Sequence, residues 1–172
     1  MTVVAVIIGI LVASQDSPGA RTTATSNEIV GLETFAVPSR NHVNGPVQYP
    51  QTPPVGGDHA PIWQDCGFYS RPIVTEQGVH SMEHGAVWIT YRPDLPTDQV
   101  GTLRRLATDQ TYILVSPWPG LSGPIVASAW GKQVQLESAT DPRLAEFVRQ
   151  FRESPKAPEP GAACVGGATS PA

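Results

Sequence analysis

Between residues 38 and 61 the chain reads PSRNHVNGPVQYPQTPPVGGDHAP, with six prolines and three glycines. Proline has no amide hydrogen to give to a helix or a central strand, and glycine is entropically costly in both. No regular element fits this stretch. A structureless segment of that length inside a compact domain is usually either functional or disordered. It holds His42 and His59, and the other two histidines, His80 and His84, follow shortly after. Their presence favours the functional reading.

Regular structure is expected on the C-terminal side of this loop. AVWITYRP (86–93) is β-branched and aromatic and ends at a proline, so it reads as a strand. DLPTDQVGTLRRLATDQ follows, with Val100, Leu103, Leu106 and Ala107 on one helical stripe and Thr97 or Asp98 as N-cap. TYILVSPWPG reads as a buried strand stopped at Pro117, and GPIVASAWGKQVQLE as one further strand, bent near Gly131. DPRLAEFVRQFRE is a helix with Asp141 at the N-cap, Pro142 at N1 and a stripe of Leu144, Phe147, Val148 and Phe151. The first crossover permits a parallel strand pair, and PWPGLSG reads as a hairpin connection. These elements make a small mixed α+β sheet with two helices packed on one face.

The chain's ends differ from this middle. Residues 3–13, VVAVIIGILVA, are apolar throughout but too few to span a bilayer, which takes about 20 residues. The first basic residue is Arg21, so a signal peptide's basic start is missing. The polar stretch after it reads as a linker. Residues 1–13 are therefore expected to be a truncated membrane anchor or signal segment, with a start assigned too far downstream. Residues 14–37 are expected to be linker and lead-in, 38–153 the globular domain, and 154–172 a Pro/Gly-rich tail. Such a core, roughly 120 residues, folds without help from metal. Cys66 and Cys164 are the only cysteines. In an exported chain an even count predicts a disulfide, and this one would tie the tail back onto the domain.

His80-Ser81-Met82-Glu83-His84 fits H-x-x-E-H, the inverted zinc-protease signature. That chemistry needs a helix, so that both imidazoles meet one ion while the glutamate reaches its water. Gly78 and Gly85 bracket the motif and a strand follows, so a helix here would be under two turns. Read as extended chain, His80, Met82 and His84 share one face. Two imidazoles and a thioether suit copper, while imidazoles alone also take zinc. The expected metal ligands are His80 and His84, with His59 third and Met82 or His42 completing the sphere. Asp58 could orient an imidazole, and Glu76 or Glu83 could add a hard oxygen that shifts preference to zinc. The bland alternative is that each histidine only bonds backbone in a turn-rich region.

Several segments together resemble a family found mainly in actinobacteria, domain of unknown function 3105. They are HV at 42, YPQTPPVGGDHAPIWQDCGFYSRP at 49–72, VHSMEHGAVWITYRPDLP at 79–96, SPWPGLSGPIVASAWGKQV at 116–134 and the PEPGAACVGG tail. The resemblance implies an N-terminal transmembrane anchor, a linker and one extracytoplasmic domain. It carries no catalytic residues with it.

The net charge of -4 and the scarcity of lysine exclude nucleic acid as a partner. No phosphate loop, dinucleotide fingerprint or nucleophile elbow is present. The expected function is a single-pass, membrane-tethered extracytoplasmic protein that binds a transition metal, copper before zinc, in metal handling or sensing at the cell envelope. Two other classes compete. One is a non-catalytic envelope module that meets a protein partner without metal. The other is a metal-dependent hydrolase.

Overall fold

The computed structural model describes residues 28–172. The expected anchor and the linker up to residue 27 lie outside the described residues. Six strands form one sheet in the order β1-β6-β5-β3-β4-β2. They are β1 (Glu33–Thr34), β2 (Gly67–Phe68), β3 (Val87–Tyr91), β4 (Ile113–Pro117), β5 (Ile125–Ala129) and β6 (Lys132–Leu136). Three helices join them: α1 (Thr75–Glu83), α2 (Thr97–Asp109) and α3 (Pro142–Phe151). The α+β class with a mixed sheet is as expected.

β3, α2 and β4 form the parallel crossover unit, with Val87 opposite Ile113 and Ile89 opposite Val115. The connection after β4 is not the expected hairpin. The chain crosses over β3 instead, and β5 pairs antiparallel with the other edge of β3, Ile89 opposite Ala127. The hairpin lies one step later. GPIVASAWGKQVQLE is two strands, not one bent strand, joined by a two-residue turn between Ala129 and Lys132. Gly131 makes that turn at φ +68°, and a Cβ there would come 3.0 Å from the Phe35 carbonyl oxygen.

Strand alternation sends Val87, Ile89 and Tyr91 to one face, where they meet Leu103 of α2 and Leu144, Phe147 and Val148 of α3. Both helical stripes are as expected. Asp141 caps α3 by accepting from the Arg143 amide at 2.9 Å, whereas α2 begins behind Pro96 with no side-chain cap. Trp88 and Leu114 point to the opposite face and pack with Ile73, Val79 and Met82. Tyr49, Tyr69, Trp118 and Trp130 pad this second core from its edges.

α1 covers that second face, and it corrects the extended reading of VHSMEH. Gly78, expected to stop a helix, sits inside one. Its missing side chain is what lets α1 reach the sheet, because a Cβ there would lie 2.8 Å from the Trp88 ring. The helix starts before the motif, at Thr75, and so gains a turn. Gly85 does end it, at φ +102°. The Gly85 amide bonds the Met82 carbonyl and the Ala86 amide bonds the Ser81 carbonyl, the paired bonds of a Schellman stop.

Cys66 and Cys164 form a disulfide, with Cα atoms 5.4 Å apart. The tail is held by more than that bond. Its backbone amides cap the end of α1: Glu159 to the Glu83 carbonyl at 3.0 Å and Gly161 to the His84 carbonyl at 3.2 Å. Further on, Ala168 exchanges backbone hydrogen bonds with Trp63 and Asp65.

Candidate metal centre

The long loop is ordered where it matters because it pairs with itself. The Val43 amide donates to the His59 carbonyl at 2.8 Å, and the His59 amide donates to the Asn41 carbonyl at 3.0 Å. This two-rung parallel bridge sets His42 beside His59. Asp58 reinforces it. Its Oδ1 accepts from the Ser39 hydroxyl, and from the Asn41 amide at 2.8 Å. Those hydrogen bonds, Ser39's first, hold the Asp58 carboxyl below its usual pKa. Asp58 thus staples the loop; it does not orient an imidazole. Gly56 and Gly57 have positive φ and let the loop approach Val37, Trp130 and Tyr49 closely.

α1 supplies the other wall. His80 and Glu83 are three residues apart and share one helical face. His42, His59, His80 and Glu83 converge, with one ligand atom of each within 4.8 Å of all the others. Ring centroids of the three histidines are 4.8–5.0 Å apart. His59, His80 and Glu83 are buried, while His42 is half-exposed and closes the solvent side.

Two of these rings have fixed tautomers. His59 Nδ1 lies 2.8 Å from the Gly57 carbonyl, and His80 Nδ1 lies 2.7 Å from the Ala60 carbonyl. A carbonyl only accepts, so each Nδ1 carries a hydrogen, and in the neutral ring each Nε2 presents a lone pair. His80 is further biased toward neutrality. Burial is the main cause, joined by repulsion from the neighbouring imidazoles, and its pKa falls to about 4. His59 Nε2 sits 2.8 Å from Glu83 Oε2. It lies off the line along which a ring N–H would donate, and so remains a fully buried nitrogen without a hydrogen bond. With the ring neutral and the carboxyl ionised these are two facing buried acceptors, which a cation held by both, a proton or a metal ion, satisfies.

Of the expected ligands, the structure therefore brings His42, His59 and His80 together. It places Met82 elsewhere. Met82 is two positions on from His80 and so on the far side of α1, fully buried in the second core. His84 is stacked edge-on against His80, with ring centroids 4.5 Å apart. Its Nδ1 bonds the Ala163 carbonyl at 2.6 Å, and its Nε2 faces Glu159. The convergent pair that the inverted protease signature requires is not formed, although the helix is. Glu76 accepts from the Val47 amide at 2.9 Å and is a loop anchor.

Glu83 takes the place given to Met82. Its signal was the i, i+3 spacing from His80, which counts only once the segment is read as helix. Arg40 was missed altogether; its Nη1 lies 3.8 Å from Glu83 Oε1, on the exposed rim. Nothing in its local sequence marked it.

A family model described as protein of unknown function (DUF3105) matches residues 42–166. The chain belongs to this family. No curated protein and no solved structure matches it. The DUF3105 match begins at His42 and runs past Cys164, so it contains every ligand of the cluster and the disulfide. Three imidazoles and one carboxylate form a donor set suited to a transition-metal ion, and His59 Nε2 and Glu83 Oε2 are close enough to bind one ion together.

Proposed function

We infer that this DUF3105 domain binds one transition-metal ion through His42, His59, His80 and Glu83, and serves metal handling or sensing at the cell envelope. The observation that carries this reading is the 2.8 Å approach of His59 Nε2 to Glu83 Oε2, both buried, with His59 Nδ1 already committed to a carbonyl. Two facing buried acceptors call for a cation, and the convergence of His42 and His80 on the same pair suits a metal ion better than a lone proton.

Copper is the first ion to test and zinc the second. Without Met82 the softness that would select copper(I) is gone. Three imidazoles and a carboxylate bind copper(II) ahead of zinc by the ordinary affinity order of divalent ions. The disulfide supports an oxidising, extracytoplasmic location. Membrane tethering through residues 3–13 remains part of the proposal. Among the described residues no helix is long and apolar enough to cross a membrane.

The test is equilibrium binding of copper(II) and zinc(II) to tag-free protein made in an oxidising compartment, with elemental analysis. Stoichiometric metal in the wild type, weakened in Glu83→Gln, is the expected outcome. No stoichiometric uptake of either ion would overturn the reading.

A further inference from the structure

A second pair of acceptors lies just beyond the cluster. His84 is buried, and its Nδ1 donates to the Ala163 carbonyl at 2.6 Å. This is the same Nδ1 anchor that His59 and His80 carry, so in the neutral ring Nε2 again presents a lone pair. No hydrogen bond reaches that nitrogen among the described residues. What faces it is Glu159 Oε2, at 3.8 Å. The carboxylate is half-exposed, so this pair is open to solvent where the inner cluster is closed.

The placement of Glu159 is built, not incidental. Its own amide bonds the Glu83 carbonyl and the Gly161 amide bonds the His84 carbonyl. The disulfide at Cys164 fixes the same tail segment. Bonds of about 2.0–2.2 Å to imidazole nitrogen and carboxylate oxygen fit an ion held by both groups after a small rotation of the exposed Glu159 side chain. The His84 ring touches His80, whose Nε2 belongs to the inner cluster.

We propose that His84 and Glu159 form a second, outer ion position, which takes the same divalent metal more weakly and loads the inner cluster. With only two protein ligands and water in the other positions, the outer ion exchanges readily. Passage inward is a ligand exchange between adjacent imidazoles, with no net change in charge or oxidation state. This rests on the inner cluster binding metal, and the two readings separate experimentally.

Equilibrium dialysis of the full chain against copper(II), with zinc(II) in parallel, should give two equivalents for the wild type, one tight and one weaker. Glu159→Ala, a change at an exposed side chain, should lose the weaker equivalent and leave the affinity of the tight one unchanged, while slowing its loading in stopped-flow mixing. Glu83→Gln should weaken the tight equivalent only. A weaker equivalent that survives in both Glu159→Ala and His84→Gln overturns the proposal, as does a wild type that takes only the tight one. Loss of the sole equivalent in Glu159→Ala, with no effect of Glu83→Gln, would instead keep the outer position and overturn the inner one.

Discussion

His59 Nε2 and Glu83 Oε2 face each other at 2.8 Å in a part of the protein that solvent does not reach, and neither atom has a hydrogen to offer the other while the ring is neutral and the carboxyl ionised. In that state the metal-free protein carries a local repulsion that a proton or a metal ion relieves. Glu83→Gln replaces an acceptor with an amide that can donate to His59. The variant should gain about 1–3 kcal/mol in metal-free stability, the usual size of a buried unsatisfied group. It should lose about 10–100-fold or more in metal affinity, as removal of a ligand or its partner does. Urea unfolding of the metal-free protein and metal titration measure the two effects. A fall in both stability and affinity would mean that Glu83 is held by Arg40 as a structural ion pair.

His80 makes the metal-free fold acid-sensitive. Its pKa lies near 4 in the folded chain against 6.5 unfolded, mainly because burial disfavours the charged ring. A depressed histidine pKa means the unfolded state takes up the proton first, so stability is lost as pH falls below the unfolded value. The loss begins near pH 6.5 and levels off near pH 4. It amounts to about 3–4 kcal/mol at most, from roughly 1.4 kcal/mol per pKa unit. Urea midpoints of metal-free protein at several pH values across that window check it, with His80→Gln as the variant whose decline should be smaller. Equal declines in the two proteins would remove His80 as the cause.

Much of the sheet and both α2 and α3 were legible because their signals are local. The stripe Leu144, Phe147, Val148 and Phe151, with Asp141 and Pro142 ahead of it, needs no tertiary knowledge. The order of β3, β4 and β5 was not legible, since PWPGLSG can close a hairpin or let the chain cross over. The site was half legible. Four histidines near a glycine-rich loop pointed to a cluster, and three of them form it. The misplacement of Met82 and the secondary place of Glu83 among the expected ligands have one cause. Gly78 looks like a helix stop, and only the Trp88 ring, ten residues on, reveals why glycine is needed there.

That relationship predicts opposite outcomes for two glycine replacements in helices. Gly78→Ala adds helix propensity but drives a methyl into the Trp88 ring, 2.8 Å away. Overpacking of this kind costs about 1–3 kcal/mol, and Trp88 is held by its Ser116 hydrogen bond and by burial. Gly101→Ala in α2 meets nothing closer than an Arg105 nitrogen at 3.7 Å, the flexible end of a side chain. It should stabilise by about 0.5–1 kcal/mol. Thermal denaturation of both variants decides the matter, and a stabilised Gly78→Ala would contradict the packing of α1 on β3.

The disulfide joins residues 98 apart in sequence, so in the chain-entropy model its removal costs about 4–5 kcal/mol. The effect should not be uniform. The tail amides of Glu159 and Gly161 cap the carbonyls of Glu83 and His84, and the Cys66 amide bonds the Cys164 carbonyl at 2.7 Å. Once the covalent tie is gone, these bonds must hold a Pro/Gly-rich segment alone against its gain in conformational entropy. In Cys66→Ala/Cys164→Ala, amide hydrogen exchange should therefore rise first at Cys66, Glu159 and Gly161, while β3, β5 and α3 keep their protection. The C-terminal turn of α1 carries Glu83, so metal affinity should fall together with that protection. Unchanged exchange at Glu159 and Gly161 would show that the backbone bonds suffice, and that the covalent tie acts only on the unfolded chain.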